Sequence, residues 1–272
     1  GVMQTRRIFI ATLLTGLSFV IGPWSAMAQS MDCAHLVWSD EFETPGAPDP
    51  ARWNFEIGGG GWGNNEIQVY TDQRSNSYIS NGTLKIHALR SQSGTWTSAR
   101  MVTSGKASWK YGRFEIRARI DTTKGSWPAI WTLGVSGRWP AGGEIDIMEF
   151  YRRRDVPIIL ANVAWARRGG TQWNEQIRVL EHFTAFDPDW VSKFHVWRMD
   201  WDSTSIKLYL DNILLNTQIL SESLNPDGTN PFLQPHYLLL NLAIGAAGGD
   251  PSGSPFPIKY EVDYVRVYQR EN

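Results

Sequence analysis

Gly142-Gly143-Glu144-Ile145-Asp146-Ile147-Met148-Glu149-Phe150 places three carboxylates within six residues. As far as Ile147 the acids alternate with branched apolar side chains, the period of a β-strand with one face in a core. On a regular strand Glu144 and Asp146 share a face, while Glu149, five positions after Glu144, points to the other. One extra residue changes that: a β-bulge at Ile147-Met148 returns Glu149 to the side of the other two acids. Isolated buried carboxylates are strongly penalised, so a row of three is expected to line a wet groove. Two plainer readings remain open. The segment suits a solvent-facing edge strand whose acids keep it soluble, or a short helix with Glu144 and Asp146 near its N-terminus. The isoleucines at alternate positions weigh against the helix.

The same period of two extends to both sides. Phe114-Glu115-Ile116-Arg117-Ala118-Arg119-Ile120 and Ile206-Lys207-Leu208-Tyr209-Leu210 each bury one face. Further strands are expected at 67–70, 83–89, 158–165, 194–201, 236–244 and 260–268, separated by Gly, Pro, Asn and Asp clusters. One short helix is expected over 180–186. Many short strands with almost no helical period predict an all-β sandwich of two antiparallel sheets.

Composition narrows the function classes. Of 272 residues 19% are charged, below the roughly 25% of typical soluble domains, whereas 12% are aromatic and 14 are Trp, with a formal net charge of −1. Nothing here suggests a disordered chain or a basic nucleic-acid binder. The single Cys, Cys33, excludes an internal disulfide framework and a Cys-based zinc cluster. The five His are scattered without metal-ligand spacing. Arg6-Arg7, the apolar run 8–21 and Ala26-Met27-Ala28 follow the order of an export signal, so residues 1–28 are expected to be a cleavable leader and 29–272 a single domain. The run is short for a membrane span of about 20 apolar residues. A secreted or periplasmic monomer with no membrane part in its mature form is expected. The leader fits both the twin-arginine and the general secretory route.

Paired carboxylates in a groove suit glycoside hydrolysis, in which one acid attacks the anomeric carbon and the other protonates the leaving oxygen. Across the bulge four strand steps separate Glu144 from Glu149, about 13 Å at Cα, against a carboxyl gap of roughly 5 Å for retention. Side-chain lean and strand curvature must close the difference. Asp146, between the two, can hydrogen-bond either Glu and raise the pKa of the one that stays protonated. Upstream, Trp127 and Trp131 in Gly125-Ser126-Trp127-Pro128-Ala129-Ile130-Trp131 lie an even step apart and can share a face as sugar-stacking plates, although for any single Trp here a core position is the better reading. Trp62 and Asn64 fall in an exposed-looking Gly-rich loop. Its glycines formally match a dinucleotide pattern, but 67–70 reads as a strand where that fold needs a helix.

Trp127-Pro128-Ala129-Ile130-Trp131 followed by Trp139-Pro140-Ala141 and the acidic segment closely resembles the active-site region of glycoside hydrolase family sixteen, in particular its laminarinase-like branch. The likeness runs from Val37-Trp38-Ser39-Asp40-Glu41-Phe42 to Val262-Asp263-Tyr264-Val265-Arg266-Val267-Tyr268. It implies a β-jelly-roll with a substrate cleft on its concave face and retaining endo-hydrolysis of a β-1,3-glucan or mixed β-1,3/1,4-glucan, without an organic cofactor. By motif Glu144 resembles the nucleophile, Glu149 the general acid/base and Asp146 the assisting acid. Trp127, Trp131, Asn64, Arg113, Trp62 and Trp165 resemble cleft residues. Glu41, Gly82 and Asp263 resemble the family's structural calcium positions. Two departures bear on substrate. The segment 242–249 lacks a Trp that many laminarinase-like members carry nearby. Tyr151-Arg152-Arg153-Arg154 reads as a solvated loop or, if it lines the cleft, as a partner for sulfate, which keeps a sulfated galactan as the alternative substrate. A non-catalytic β-sandwich lectin is the alternative from another class. The chain has neither a Gly-x-Ser-x-Gly elbow nor a His-Glu-x-x-His pair.

Overall fold

The computed structural model describes residue 31 and residues 33–271; the expected leader lies outside them. In chain order the first strands are β1 (His35–Asp40), β2 (Asn54–Phe55), β3 (Val69–Tyr70), β4 (Ser77–Ser80), β5 (Thr83–Arg90), β6 (Trp96–Ser98), β7 (Arg100–Val102), β8 (Gly112–Ile120) and β9 (Ser126–Gly134). Then follow β10 (Glu144–Arg153), β11 (Val156–Arg167), β12 (Gly170–Val179), β13 (His195–Trp201), β14 (Ser205–Leu210), β15 (Ile213–Ile219), β16 (His236–Ile244) and β17 (Ile258–Gln269). A short helix α1 (Glu181–Thr184) falls inside the expected 180–186 segment.

The strands form two sheets, as the period predicted. One runs β15-β14-β13-β8-β17-β5-β6-β3, with β1 beside β17 and β4 beside β5; the other runs β12-β11-β10-β9-β16-β7-β2. Between them lies the core of the jelly roll. On β8, Phe114, Ile116, Ala118 and Ile120 are buried, and the charged residues between them point outward. Trp53, Trp197 and Trp201 are fully buried as well. The outer, concave face of the seven-stranded sheet carries the site.

Strand β12 has no apolar alternation. It is a polar edge strand that pairs along its whole length with β11, through residues such as Trp173 opposite Ala164 and Glu175 opposite Asn162. The arginine run is not a loop. β10 continues to Arg153 and turns to β11 through Arg154 and Asp155 alone, both with positive φ, as a two-residue hairpin requires.

Candidate active site

The bulge is present. Glu144 and Asp146 sit opposite Ala164 and Asn162, and the register then slips so that Glu149 sits opposite Leu160. Against β9 the slip lies between Asp146, opposite Trp131, and Met148, opposite Ile130. Ile147 and Met148 therefore both turn into the core, and Glu149 joins the other acids on the concave face. Gly143 sets the entry into β10. Its φ is +83°, and a Cβ there would lie 2.7 Å from Pro231 Cβ, so no larger residue fits without a shift.

The acids are more enclosed than a wet groove implies: Glu144 is 9% exposed and Asp146 1%. Two indoles reach them. Trp127 Nε1 donates to Glu149 Oε2 at 2.9 Å, and Trp139 Nε1 donates to Glu144 Oε2 at 3.1 Å. Neither Asp146 oxygen receives a hydrogen bond from an N–H or hydroxyl of the chain. It faces the two glutamates, so a shared proton is what satisfies it. Burial, then the negative charges of Glu144 and Glu149, pushes the Asp146 pKa well above the ordinary carboxylate range. Burial, then the charge of Glu149, pushes Glu144 up to about 7. Glu149 is raised too, again chiefly by burial, while hydrogen bonds from Asp146 and Trp127 pull the other way. Near neutral pH the row thus keeps protons instead of three full charges.

Trp127 and Trp131 share this face. The Trp127 ring meets Tyr151 edge-on at 5.6 Å. Trp131 Nε1 donates to Asn241 Oδ1 at 2.7 Å, Asn241 Nδ2 donates to the Tyr70 hydroxyl at 3.0 Å, and that hydroxyl donates to Glu66 Oε1 at 3.3 Å. Asn64 Nδ2 donates to the other Glu66 oxygen at 2.9 Å. Arg100 lies between two indoles, 4.7 Å from the Trp62 ring and 4.9 Å from the Trp131 ring, with Nε donating to Glu56 Oε1 at 3.1 Å. Asn64, Trp127, Trp131 and the three acids line one pocket together with Glu66, Arg100 and Asn241. The sequence reading missed these last three. Even spacing in Glu66-Ile67-Gln68-Val69-Tyr70 was the available signal, since Gln68 and Tyr70 both donate to Glu66. Trp62 adjoins the site through Arg100 and is not an open plate. Its N–H donates to the Gly58 carbonyl.

Two expected cleft residues lie elsewhere. Arg113 is on β8 in the other sheet, where Nε and Nη2 donate to the Asp200 carboxylate at 2.8 and 3.0 Å. Trp165 has the wrong parity. Asn162 and Ala164 face the cleft, so Trp165 turns into the core and packs edge-on against Phe232 at 6.4 Å. The calcium positions do not fit an ion as they stand. Glu41 Oε1 accepts from Arg266 Nη2 at 2.6 Å and Asp263 Oδ2 from Arg117 Nη1 at 2.7 Å, so both carboxylates are already neutralised. Among the described residues no cluster of three or more His, Cys, Asp or Glu is arranged to hold a metal. Of the arginine run, Arg152 donates to the Thr122 and Thr123 carbonyls, and Arg153 pairs with Glu175 at 2.7 Å.

Residues 63–266 match the sequence profile of the family described as Glycosyl hydrolases family 16. A β-glucanase of Rhodothermus marinus is 39% identical over 98% of this chain and 95% of its own length. A glucan endo-1,3-beta-glucosidase of Cryptopygus antarcticus is 36% identical over 94% of this chain and 96% of its own. The solved laminarinase of Rhodothermus marinus superposes with a TM-score of 0.74 at 38% identity, covering 88% of this chain and 98% of that one.

Proposed function

The chain belongs to glycosyl hydrolases family 16, and from that premise we propose that it is a retaining endo-glycoside hydrolase of β-1,3-glucan or mixed β-1,3/1,4-glucan. The observation that carries this reading is the bulge, which puts Glu144, Asp146 and Glu149 on one face. Glu144 attacks the anomeric carbon as its carboxylate, forming a glycosyl ester, while the glycosidic C–O bond breaks and Glu149 gives its proton to the leaving oxygen. Glu149, now a carboxylate, takes a proton from water as the water oxygen attacks the same carbon and releases Glu144. Asp146 holds a proton between them, which keeps the row from carrying three charges. Chemistry of this kind uses carboxyl groups and water alone, and no step is assigned to calcium. Action outside the cytoplasm is part of the proposal and rests on the export-signal pattern of residues 1–28.

The intact acid row argues against a lectin, which has no use for two glutamates in this register. Arg152 and Arg153 are already held by carbonyls and by Glu175, so no observation favours a sulfated galactan. The test is reducing-end release from laminarin, lichenan, agar, porphyran and carrageenan by the wild type and by Glu144→Ala and Glu149→Ala. Release from the two glucans is expected, with Glu149→Ala slowed by roughly 10²–10⁴-fold, the range of a lost general acid, and Glu144→Ala inactive. Full activity in both variants refutes the assignment. The first product is expected as the β-anomer, and an α-anomer removes Glu144 as nucleophile.

A further inference from the structure

We propose that Trp173 is a second sugar-binding platform, on the far side of the acids from Arg100 and Trp131, so that the cleft extends across the whole seven-stranded sheet. This rests on reading the concave face as a glucan cleft. Glu144 lies opposite Ala164 on β11, and Ala164 lies opposite Trp173 on β12. Residues directly opposite one another point to the same face, so Trp173 faces the cleft in line with Glu144 and two strand spacings away, about 10 Å. A contact confirms the parity. Glu175, two residues after Trp173, reaches over β11 on that face to pair with Arg153 of β10 at 2.7 Å.

Between Glu144 and Trp173 lies Ala164, a single methyl that is itself fully buried, so no long side chain of β11 stands between the two at that position. Trp173 is 42% exposed on an edge strand whose other apolar side chains, Ile177 and Val179, lie toward its far end. A lone exposed apolar residue needs no explanation, but Trp173 is not alone. Among the described residues only Trp139 and Trp173 are tryptophans more than a third exposed, and Trp139 is the indole that hydrogen-bonds Glu144. Both open indoles thus adjoin the same end of the acid row. A flat apolar face beside a groove gains by covering the C–H face of a sugar ring, which removes apolar area from water on both partners. Trp131 and Arg100 already occupy the other side, through β9 and β7. A chain held there must cross the acids to reach Trp173.

The experiment compares the wild type, Trp173→Ala and Trp173→Tyr on β-1,3-gluco-oligosaccharides of increasing length, with cleavage positions read from end-labelled chains. For chains long enough to reach both sides, Trp173→Ala is expected to raise KM about tenfold, equal to about 1.4 kcal/mol, with kcat little changed, as for a contact made equally in ground and transition states. The loss should shrink as the chain shortens, the preferred cut should move along the labelled chain, and Trp173→Tyr should recover most of the affinity. A KM that is unchanged at every length, or raised equally for the shortest and longest chains at an unchanged melting temperature, overturns the platform. If the wild type cleaves a different β-linked polymer, the glucan reading fails, and the Trp173 comparison is made on oligosaccharides of that polymer with the same outcomes.

Discussion

Replacing Trp127 by Phe deletes one N–H from the site and keeps the ring that meets Tyr151. That N–H, 2.9 Å from Glu149 Oε2, favours the ionised carboxylate, so its loss raises the Glu149 pKa further above its ordinary value. A hydrogen bond to a charged group contributes about 1.5–3 kcal/mol. With the proton shared along the row, about 1 kcal/mol of differential stabilisation is a fair share, and at 1.36 kcal/mol per unit this is about 0.7 pH unit. Glu149 works as an acid, so activity at high pH ends where it loses its proton. The alkaline limb of kcat/KM should therefore move up by about 0.7 pH unit. Trp139→Phe makes the mirror change at Glu144, whose partner lies at 3.1 Å. Glu144 must be ionised to attack, so there the acid limb moves up. The row titrates as a unit, and each variant disturbs both limbs; the assignment turns on which limb moves more. The assay is initial rate against pH between about 4 and 9, the range spanning the ordinary carboxyl and the raised values, on one soluble oligosaccharide. A larger acid-limb shift in Trp127→Phe would reverse the two roles.

The raised carboxyl values also set a stability profile. A folded-state pKa above the unfolded one gives stability that is fully present below the unfolded value and lost as pH rises through the raised value, so the acid row weakens the fold from about pH 4 upward. Asp146→Asn cannot ionise and should melt higher than the wild type at pH 8, with no such gain at pH 4; a pH-independent difference in calorimetry contradicts this. Asn241→Ala strips the acceptor from Trp131 and the donor from the Tyr70 hydroxyl, which should cost about 1–3 kcal/mol in denaturant unfolding and raise KM; an unaltered KM removes the network from substrate binding. Arg113→Met should leave kcat/KM as it is and cost about 1 kcal/mol or less, the value of a partly exposed ion pair, while a clear rise in KM would restore Arg113 to the cleft. Met148→Ala keeps the extra residue and loses only a buried side chain, so it should lower stability by about 2–5 kcal/mol with kcat retained in the folded protein. If kcat falls with Glu149, the Met148 side chain, not the residue count, holds the bulge.

What the sequence reveals here follows from what a period of two can encode. Alternation assigns a residue to a face, and the chemical cost of burying three acids then forces the bulge that the register shows. It does not say which sheet a strand joins. Arg113 resembles a cleft residue by motif, and it does face away from the core that Phe114 enters, yet the outer face it occupies belongs to the sheet without the cleft. In 158–165 nearly every side chain is apolar because both faces are covered, so parity is invisible and Trp165 cannot be told from a cleft residue. Arg100 and Glu66 escape for a different reason. β7 has three residues and the chain at Glu66 has no ladder of its own, so each polar residue stands alone until the fold brings Asn241 and the two indoles beside it.

The bulge resolves a conflict that a regular strand cannot. The reaction needs two carboxyl groups on one face, and a third between them to hold a proton, but every acid placed on a central strand removes a charged group from water. Inserting one residue turns Glu149 outward and at the same step places Ile147 and Met148 side by side on the core face, both with no exposed surface. An extra buried apolar side chain contributes about 1.5–3 kcal/mol, at the point where desolvation of the acids costs most. Proton sharing lowers that cost again, because a neutral Asp146 is far cheaper to bury than a charged one. The raised pKa values of the three acids are in this sense what the fold required in order to bury the row, and the indoles of Trp127 and Trp139 each pull one glutamate back toward ionisation, which at Glu144 suits the nucleophile and at Glu149 limits how far burial raises the acid.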